Sequence, residues 1–233
     1  MTSRGPRSGP RLEYILGRAL EVECGISHLM FEVLLILGRA GERGSPCGPS
    51  LVLSGEVVLS SGGQVIDRTT DPLNIGFTVP GAAKRYYILA ARTTRTADWT
   101  TLATRSTVTW GFTSARPRGS TSSALPLLTV RTGGAVDLNS TAPADHAFRI
   151  PLTVQRPTSA ERSAVTRLSL QVSYDDGHTW KTVHVTRHGT TGSALLHHPS
   201  RTGYVSLQIS AADKAGNTVT QTVIRAYRIA TAR

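Results

Sequence analysis

The chain has 233 residues, 39% apolar and 18% charged, which is long enough for one or two buried cores and too apolar for a disordered chain. Its formal net charge of +11 is almost wholly arginine, because Lys84, Lys181 and Lys214 are the only lysines. Arg131, Arg149, Arg156, Arg167, Arg187, Arg201 and Arg225 stand singly, with no basic run and no aromatic interleaving, so the charge implies diffuse attraction and no nucleic-acid partner is expected.

Residues 1–47 differ in composition from everything after them. They hold both methionines, both cysteines and five of the seven glutamates (Glu13, Glu21, Glu23, Glu32, Glu42), whereas all eight aspartates follow. Ile26 to Leu37 is the one strongly apolar run. At about a dozen residues it is short of the roughly 20 that a membrane span needs. It begins late for a signal peptide, and Gly-Arg-Ala-Gly-Glu-Arg follows it with no small-x-small cleavage site. Short amphipathic helices, disorder and a targeting segment all remain open for this stretch. Cys24 and Cys47 have neither metal-site spacing nor a disulfide framework around them.

From residue 48 to 138 the sequence predicts strands at Leu51 to Ser60, Gln64 to Asp67, Asn74 to Val79, Arg85 to Arg92, Thr107 to Phe112 and Leu125 to Arg131. Ser61-Gly62-Gly63, Asp71-Pro72, Pro80-Gly81 and Arg116-Pro117-Arg118-Gly119-Ser120 separate them as turns and loops. Both phases of Tyr86 to Ala91 are apolar, which suits a central sandwich strand. Thr132 to Asp145, rich in Gly, Pro and small polar residues, reads as a hinge, so a second module is expected over 139–233.

That module is predicted to carry strands at Phe148 to Val154, Leu168 to Tyr174, Thr179 to Thr186, Ser193 to His197, Gly203 to Ala211 and Thr218 to Ile229. Leu168, Leu170, Val172 and Tyr174 alternate with Ser169, Gln171 and Ser173, and Val205, Leu207 and Ile209 alternate with Ser206, Gln208 and Ser210. One face buried and one solvated is the signature of an immunoglobulin- or fibronectin-like sandwich. The expected fold is therefore all-β, with two such antiparallel modules after the N-terminal segment.

Ser173 to Trp180 is the most specific stretch. Asp176-Gly177 is a favoured tight-turn pair, since Gly accepts positive φ freely and Asp tolerates it. The spacing S-x-D-x-G-x-T-W resembles the Asp-box hairpin of sialidases and other secreted β proteins. That resemblance implies that Asp175 accepts backbone N–H bonds across the turn while Trp180 packs beneath it. Ser173, Asp175, Asp176, Gly177, Thr179 and Trp180 are thus structural candidates, and Asp213, Gly216 and Asn217 supply the turn of a second hairpin.

Catalytic and metal chemistry is poorly supported by the remaining constellations. His188-Gly189-Thr190 is similar to the histidine context of subtilisin-type peptidases, yet no nucleophile segment accompanies it, and His188 falls where two strands must turn. His184, His188, His197 and His198 are expected on the surface, the last two facing opposite sides of a strand, with no thiolate or carboxylate to complete a zinc site. Calcium is the one cofactor that Asp175, Asp176 and Asp213 suggest. Turn bonding competes for those oxygens, and no cofactor is expected. Trp99, Trp110 and Trp180 are assigned to packing ahead of a sugar platform.

Five stretches together resemble the C-terminal, non-catalytic region of large secreted bacterial subtilisin-family serine peptidases: Leu125 to Arg131, Phe148 to Val154, Val172 to Trp180, Gly203 to Ile209 and Asp213 to Tyr227. The resemblance implies an extracellular accessory sandwich, a truncated or separately encoded tail without catalytic residues. Its expected partner is an extracellular protein or a cell-wall or glycan surface. A stand-alone carbohydrate- or protein-binding module is the alternative.

Overall fold

Alternating apolar and polar residues separated by Gly-, Asn- and Asp-containing turns give strands that each bury one face. The computed structural model describes residues 54–70, 77, 79, 81, 83–95, 100–115, 124–158 and 160–231. The 1–47 segment with Cys24 and Cys47, the Asp71-Pro72 turn, Pro80, Trp99, the 116–120 loop and most of the 74–79 strand lie outside them.

Among the described residues there are thirteen strands and no helix: β1 (Ser54–Ser61), β2 (Gln64–Thr69), β3 (Arg85–Thr94), β4 (Arg105–Ser114), β5 (Thr129–Thr132), β6 (Thr141–Pro143), β7 (Ala147–Gln155), β8 (Val165–Ser173), β9 (Lys181–Val183), β10 (Val185–His188), β11 (Thr191–His197), β12 (Gly203–Asp213) and β13 (Thr218–Ala230). They form two sheets. The larger runs β2-β1-β3-β4-β13-β12-β8-β9, with β6 added in parallel to β13, and the smaller runs β10-β11-β7-β5. All other pairings are antiparallel. The all-β architecture is the expected one.

Three features refine it. The pairing of β4 with β13, Val108 opposite Gln221 and Trp110 opposite Val219, carries the large sheet across the boundary drawn at residue 138. The stretch expected as a hinge is bonded into the fold: Thr141 to Pro143 lies beside Arg228 to Ala230, and the Ala144 N–H donates to Ala230 O at 2.8 Å. The single strand expected over Thr179 to Thr186 breaks at His184. β9 stays with β8, while β10 crosses to pair with β11 in the other sheet.

One core joins the inner faces. Val57, Leu59, Leu89, Trp110, Leu170, Val205, Ile209 and Val219 come from the large sheet, and Val130, Ile150, Leu152, Ala194 and Leu196 come from the small one. Two polar groups bridge the layers. Trp110 Nε1 donates to Leu128 O at 2.7 Å. Gln221, buried on the apolar phase of β13, accepts from the Val130 N–H at 2.6 Å and donates to Val130 O at 3.2 Å. Its amide takes the place of a neighbouring strand for that residue of β5.

β3 is interior to its sheet, but only the phase of Tyr87, Leu89, Ala91 and Thr93 is buried; Tyr86 and Ile88 lie on the solvent face. Tyr86 lies across Gly111 of β4, where an added Cβ would run into its ring and hydroxyl. The second apolar phase therefore covers a glycine in the sheet instead of a second layer.

Candidate functional site

The β8–β9 hairpin is organised by the Asp175 carboxylate. Its Oδ1 accepts from Ser173 Oγ at 2.7 Å and from the Thr179 N–H at 2.9 Å, and its Oδ2 accepts from Thr179 Oγ1 at 2.5 Å. The Thr179 hydroxyl, then the Ser173 hydroxyl and the Thr179 amide, hold this carboxyl well below the usual carboxylate range. Ser173 Oγ also accepts from the Gly177 N–H at 2.8 Å. Asp176 and Gly177 both take positive φ, 58° and 87°, and a Cβ at Gly177 would meet Ile224 and Trp180, so the indole underlies the turn.

Asp176 turns away from this network. Both of its oxygens meet Arg225 of β13, which lowers the carboxyl and raises the guanidinium. Arg225 sits in a bulge where the β12–β13 register shifts, with φ 59°. Its N–H donates to the buried Ser206 Oγ at 3.0 Å, and its guanidinium lies 4.6 Å from the Tyr204 ring centroid.

In the β12–β13 turn, Asp213 accepts from the Asn217 N–H and from Asn217 Nδ2, both at 3.0 Å, and Arg156 lies 3.6 Å from its Oδ2. Gly216 supplies φ 84°. Asp175, Asp176 and Asp213 are thus each engaged within the protein. Among the described residues no three His, Cys, Asp or Glu side chains converge as a metal-holding group.

The four histidines separate. His188 ends β10, and Gly189 with φ 58° opens the two-residue turn to β11, so His-Gly-Thr here is hairpin geometry. His197 is exposed. His198 corrects the expectation of a surface histidine: it is 1% exposed, boxed by Phe148, Tyr174 and Tyr227. Its Nδ1 lies 3.3 Å from Tyr174 Oη and its Nε2 lies 3.4 Å from Tyr227 Oη. A neutral imidazole satisfies both contacts, accepting one phenol proton and donating its own to the other. Burial, followed by the charge of His197, lowers its pKa to about 4. Burial raises the Tyr174 and Tyr227 phenols.

The feature that singly spaced arginines concealed is a groove on the small sheet. It has a volume of about 530 Å³ and is bordered by Arg149, His184, Thr186, His188, Thr191, Ser193 and Leu195, with Arg187 and Gly192, a facing pair in phase with buried Leu152, also along its edge. Pairing of β7, β11 and β10 assembles it: Arg149 stands opposite Leu195, Ser193 opposite Thr186, and Thr191 opposite His188. Arg149 Nη1 donates to Ser193 Oγ at 3.1 Å and Arg187 Nη1 to Gly189 O at 2.9 Å. Among the described residues neither guanidinium meets a carboxylate, whereas Arg68, Arg156 and Arg225 do. The available signal was the polar phase of Phe148 to Val154, which exposes Arg149; the partner strands could not be known from it.

No protein-family model matches this chain, and no curated protein matches it. Among solved structures it is similar to the fibronectin(III)-like modules of Clostridium thermocellum CbhA, at 14% identity over 79% of this chain and 82% of that chain, with a TM-score of 0.30. Among the described residues no helix is long and apolar enough to cross a membrane.

Proposed function

We propose that this chain is a non-catalytic β-sandwich module whose work is attachment: it holds an extracellular surface or a substrate through the groove on β7, β10 and β11. One observation carries the proposal. Arg149 borders the recess beside Ser193, Thr191 and Thr186 and, among the described residues, has no carboxylate partner, and an uncompensated guanidinium with adjacent hydroxyls is suited to an external anion. The carboxylates of Asp175, Asp176 and Asp213 support the same view, since their oxygens are taken up by turn bonds and by Arg225.

The resemblance of residues from Leu125 onward to the tails of secreted subtilisin-family peptidases supplies a setting, in which the module is an accessory region of a larger exported enzyme. A stand-alone binding module has the same groove and the same chemistry. Coding DNA that joins this region to a subtilisin-like catalytic domain supports the accessory role, and its absence in every frame removes it.

Retention of the full chain on insoluble bacterial cell-wall material tests the attachment itself. Wild type is expected to be retained and Arg149→Gln to elute. Equal behaviour of the two proteins overturns the groove as the attachment site. Casein hydrolysis by the purified chain, lost in His188→Ala, overturns the non-catalytic role.

A further inference from the structure

The outward face of the large sheet carries a second surface, independent of the groove. Because Val108, Trp110, Leu170, Ile209 and Val219 point into the core, the alternate residues of β4, β8, β12 and β13 point to solvent. Register lines them up in rows. Thr109, Thr220, Ser210 and Ser169 face one another in one row, and Thr107, Thr222, Gln208 and Gln171 in the next. Neighbours bond across strands: Ser210 Oγ lies 3.0 Å from Thr220 Oγ1, and Gln208 Nε2 donates to Thr222 Oγ1 at 3.1 Å. In a third row Thr218 faces Gly111, and Tyr86 of β3 lies across that glycine, 46% exposed.

The chain has a formal net charge of +11, yet neither row of four holds a charged side chain. The nearest charges stand at the margins, Glu56 opposite Arg92 on β1 and β3, and Arg167 on β8. A polyanion or an acidic protein gains nothing over these rows, and the complementary partner is uncharged. Hydroxyls and primary amides both donate and accept, which suits a ligand itself built of hydroxyls. Tyr86 adds an apolar ring with a polar tip, against which the C–H face of a sugar can pack.

Size and shape then separate a polymer from other neutral occupants. With strands about 4.8 Å apart and rows about 7 Å apart, the field covers about 14 Å by 14 Å. That is roughly 200 Å², far below the ~800 Å² per partner of a standard protein interface, and two copies each carrying +11 repel one another. A small ligand needs a concavity that covers most of its surface, which an open sheet face does not offer. An extended chain gains instead from many weak contacts in series. We infer that the outward face of β4, β8, β12 and β13, with Tyr86 at its end, binds an uncharged polysaccharide laid across the rows.

Titration calorimetry of the full chain against hydroxyethyl cellulose, glucomannan and xyloglucan, at low and high salt, tests this. At least one of the three is expected to bind, with an affinity that salt leaves unchanged because no charge is neutralised. Tyr86→Ser and Thr109→Lys should each weaken it about 3- to 10-fold, the first by removing the ring and the second by setting an unpaired ammonium beneath the chain. Thr190→Lys in the exposed β10–β11 turn and Arg149→Gln in the groove should alter it less than about twofold. Thr109 is exposed on the sheet, so its variant reports binding even where Tyr86→Ser disturbs packing over Gly111. Absence of binding to all three polymers, an affinity that collapses as salt rises, or equal losses in Thr109→Lys and Thr190→Lys overturns the inference. A concentration-dependent dimer in sedimentation, dissociated by Thr109→Lys, overturns it by giving the face to a second copy. A loss confined to Arg149→Gln overturns it by moving neutral binding to the groove. The cell-wall retention that depends on Arg149 is read separately, so either reading can fail alone.

Discussion

Arg225 Nε and Nη2 lie 2.9 and 2.7 Å from the two carboxylate oxygens of Asp176, a forked ion pair between residues 49 positions apart. It fastens the tip of the β8–β9 hairpin to the bulge in β13. The two side chains are 31% and 37% exposed, so solvent screening limits the pair to about 1 kcal/mol despite its bidentate geometry. A double-mutant cycle with Asp176→Asn and Arg225→Gln, followed by urea unfolding, should return a coupling of that size. Because Arg225 holds φ 59°, Arg225→Gly should be more stable than Arg225→Ala by about 1 kcal/mol. Equal stability of these two variants would mean that the bulge relaxes once the side chain is gone.

Asp175 staples the hairpin from within. Asp175→Ala removes the acceptor of the Thr179 amide and of two hydroxyls. It should lower the melting temperature and accelerate hydrogen exchange at Thr179. The folded carboxyl titrates below its ordinary value of 3.8, so its contribution is complete above that pH and is lost only in stronger acid. Unchanged Thr179 exchange in the variant would show that the turn holds without the carboxylate.

Gln221→Leu keeps the approximate shape of the side chain but leaves the buried N–H and C=O of Val130 without their bridging amide. The expected loss is about 2 to 4 kcal/mol in denaturant unfolding, from two desolvated backbone groups. A loss below about 0.5 kcal/mol would mean that β5 finds other partners.

His198 makes stability fall in mild acid. The folded base takes its proton near about pH 4, against an ordinary 6.5, so between those values the unfolded chain binds more protons and folding weakens as pH drops. The shift corresponds to about 3 kcal/mol across that window. Unfolding free energies at pH 7 and 4.5 should show a steep decline in wild type and a shallower one in His198→Phe. Parallel declines would place the acid sensitivity elsewhere.

Much of the fold was legible because a strand announces itself locally. Alternation in Leu168 to Tyr174 and in Gly203 to Ala211 depends only on which residues avoid water, and Asp176-Gly177 and Asp213 to Asn217 mark turns through backbone preferences that act within a few bonds. His198 and Gln221 escaped this logic. Each is a polar residue whose partners, Tyr174 and Tyr227 for one and Val130 for the other, are distant in sequence, and burial of a polar group is decided by whether those partners arrive.

By itself, then, the sequence determined the all-β class, the strand phases and the chemistry available at the turns, because these follow from short-range sterics and from hydrophobicity along the chain. Only the tertiary structure decided that β4 pairs with β13, that the strand breaking at His184 serves both sheets, and that Arg149 meets Ser193 beside Thr186 in one groove. Those outcomes depend on strand order and register. Both are set by how the apolar faces close on one another, and not by any stretch read alone.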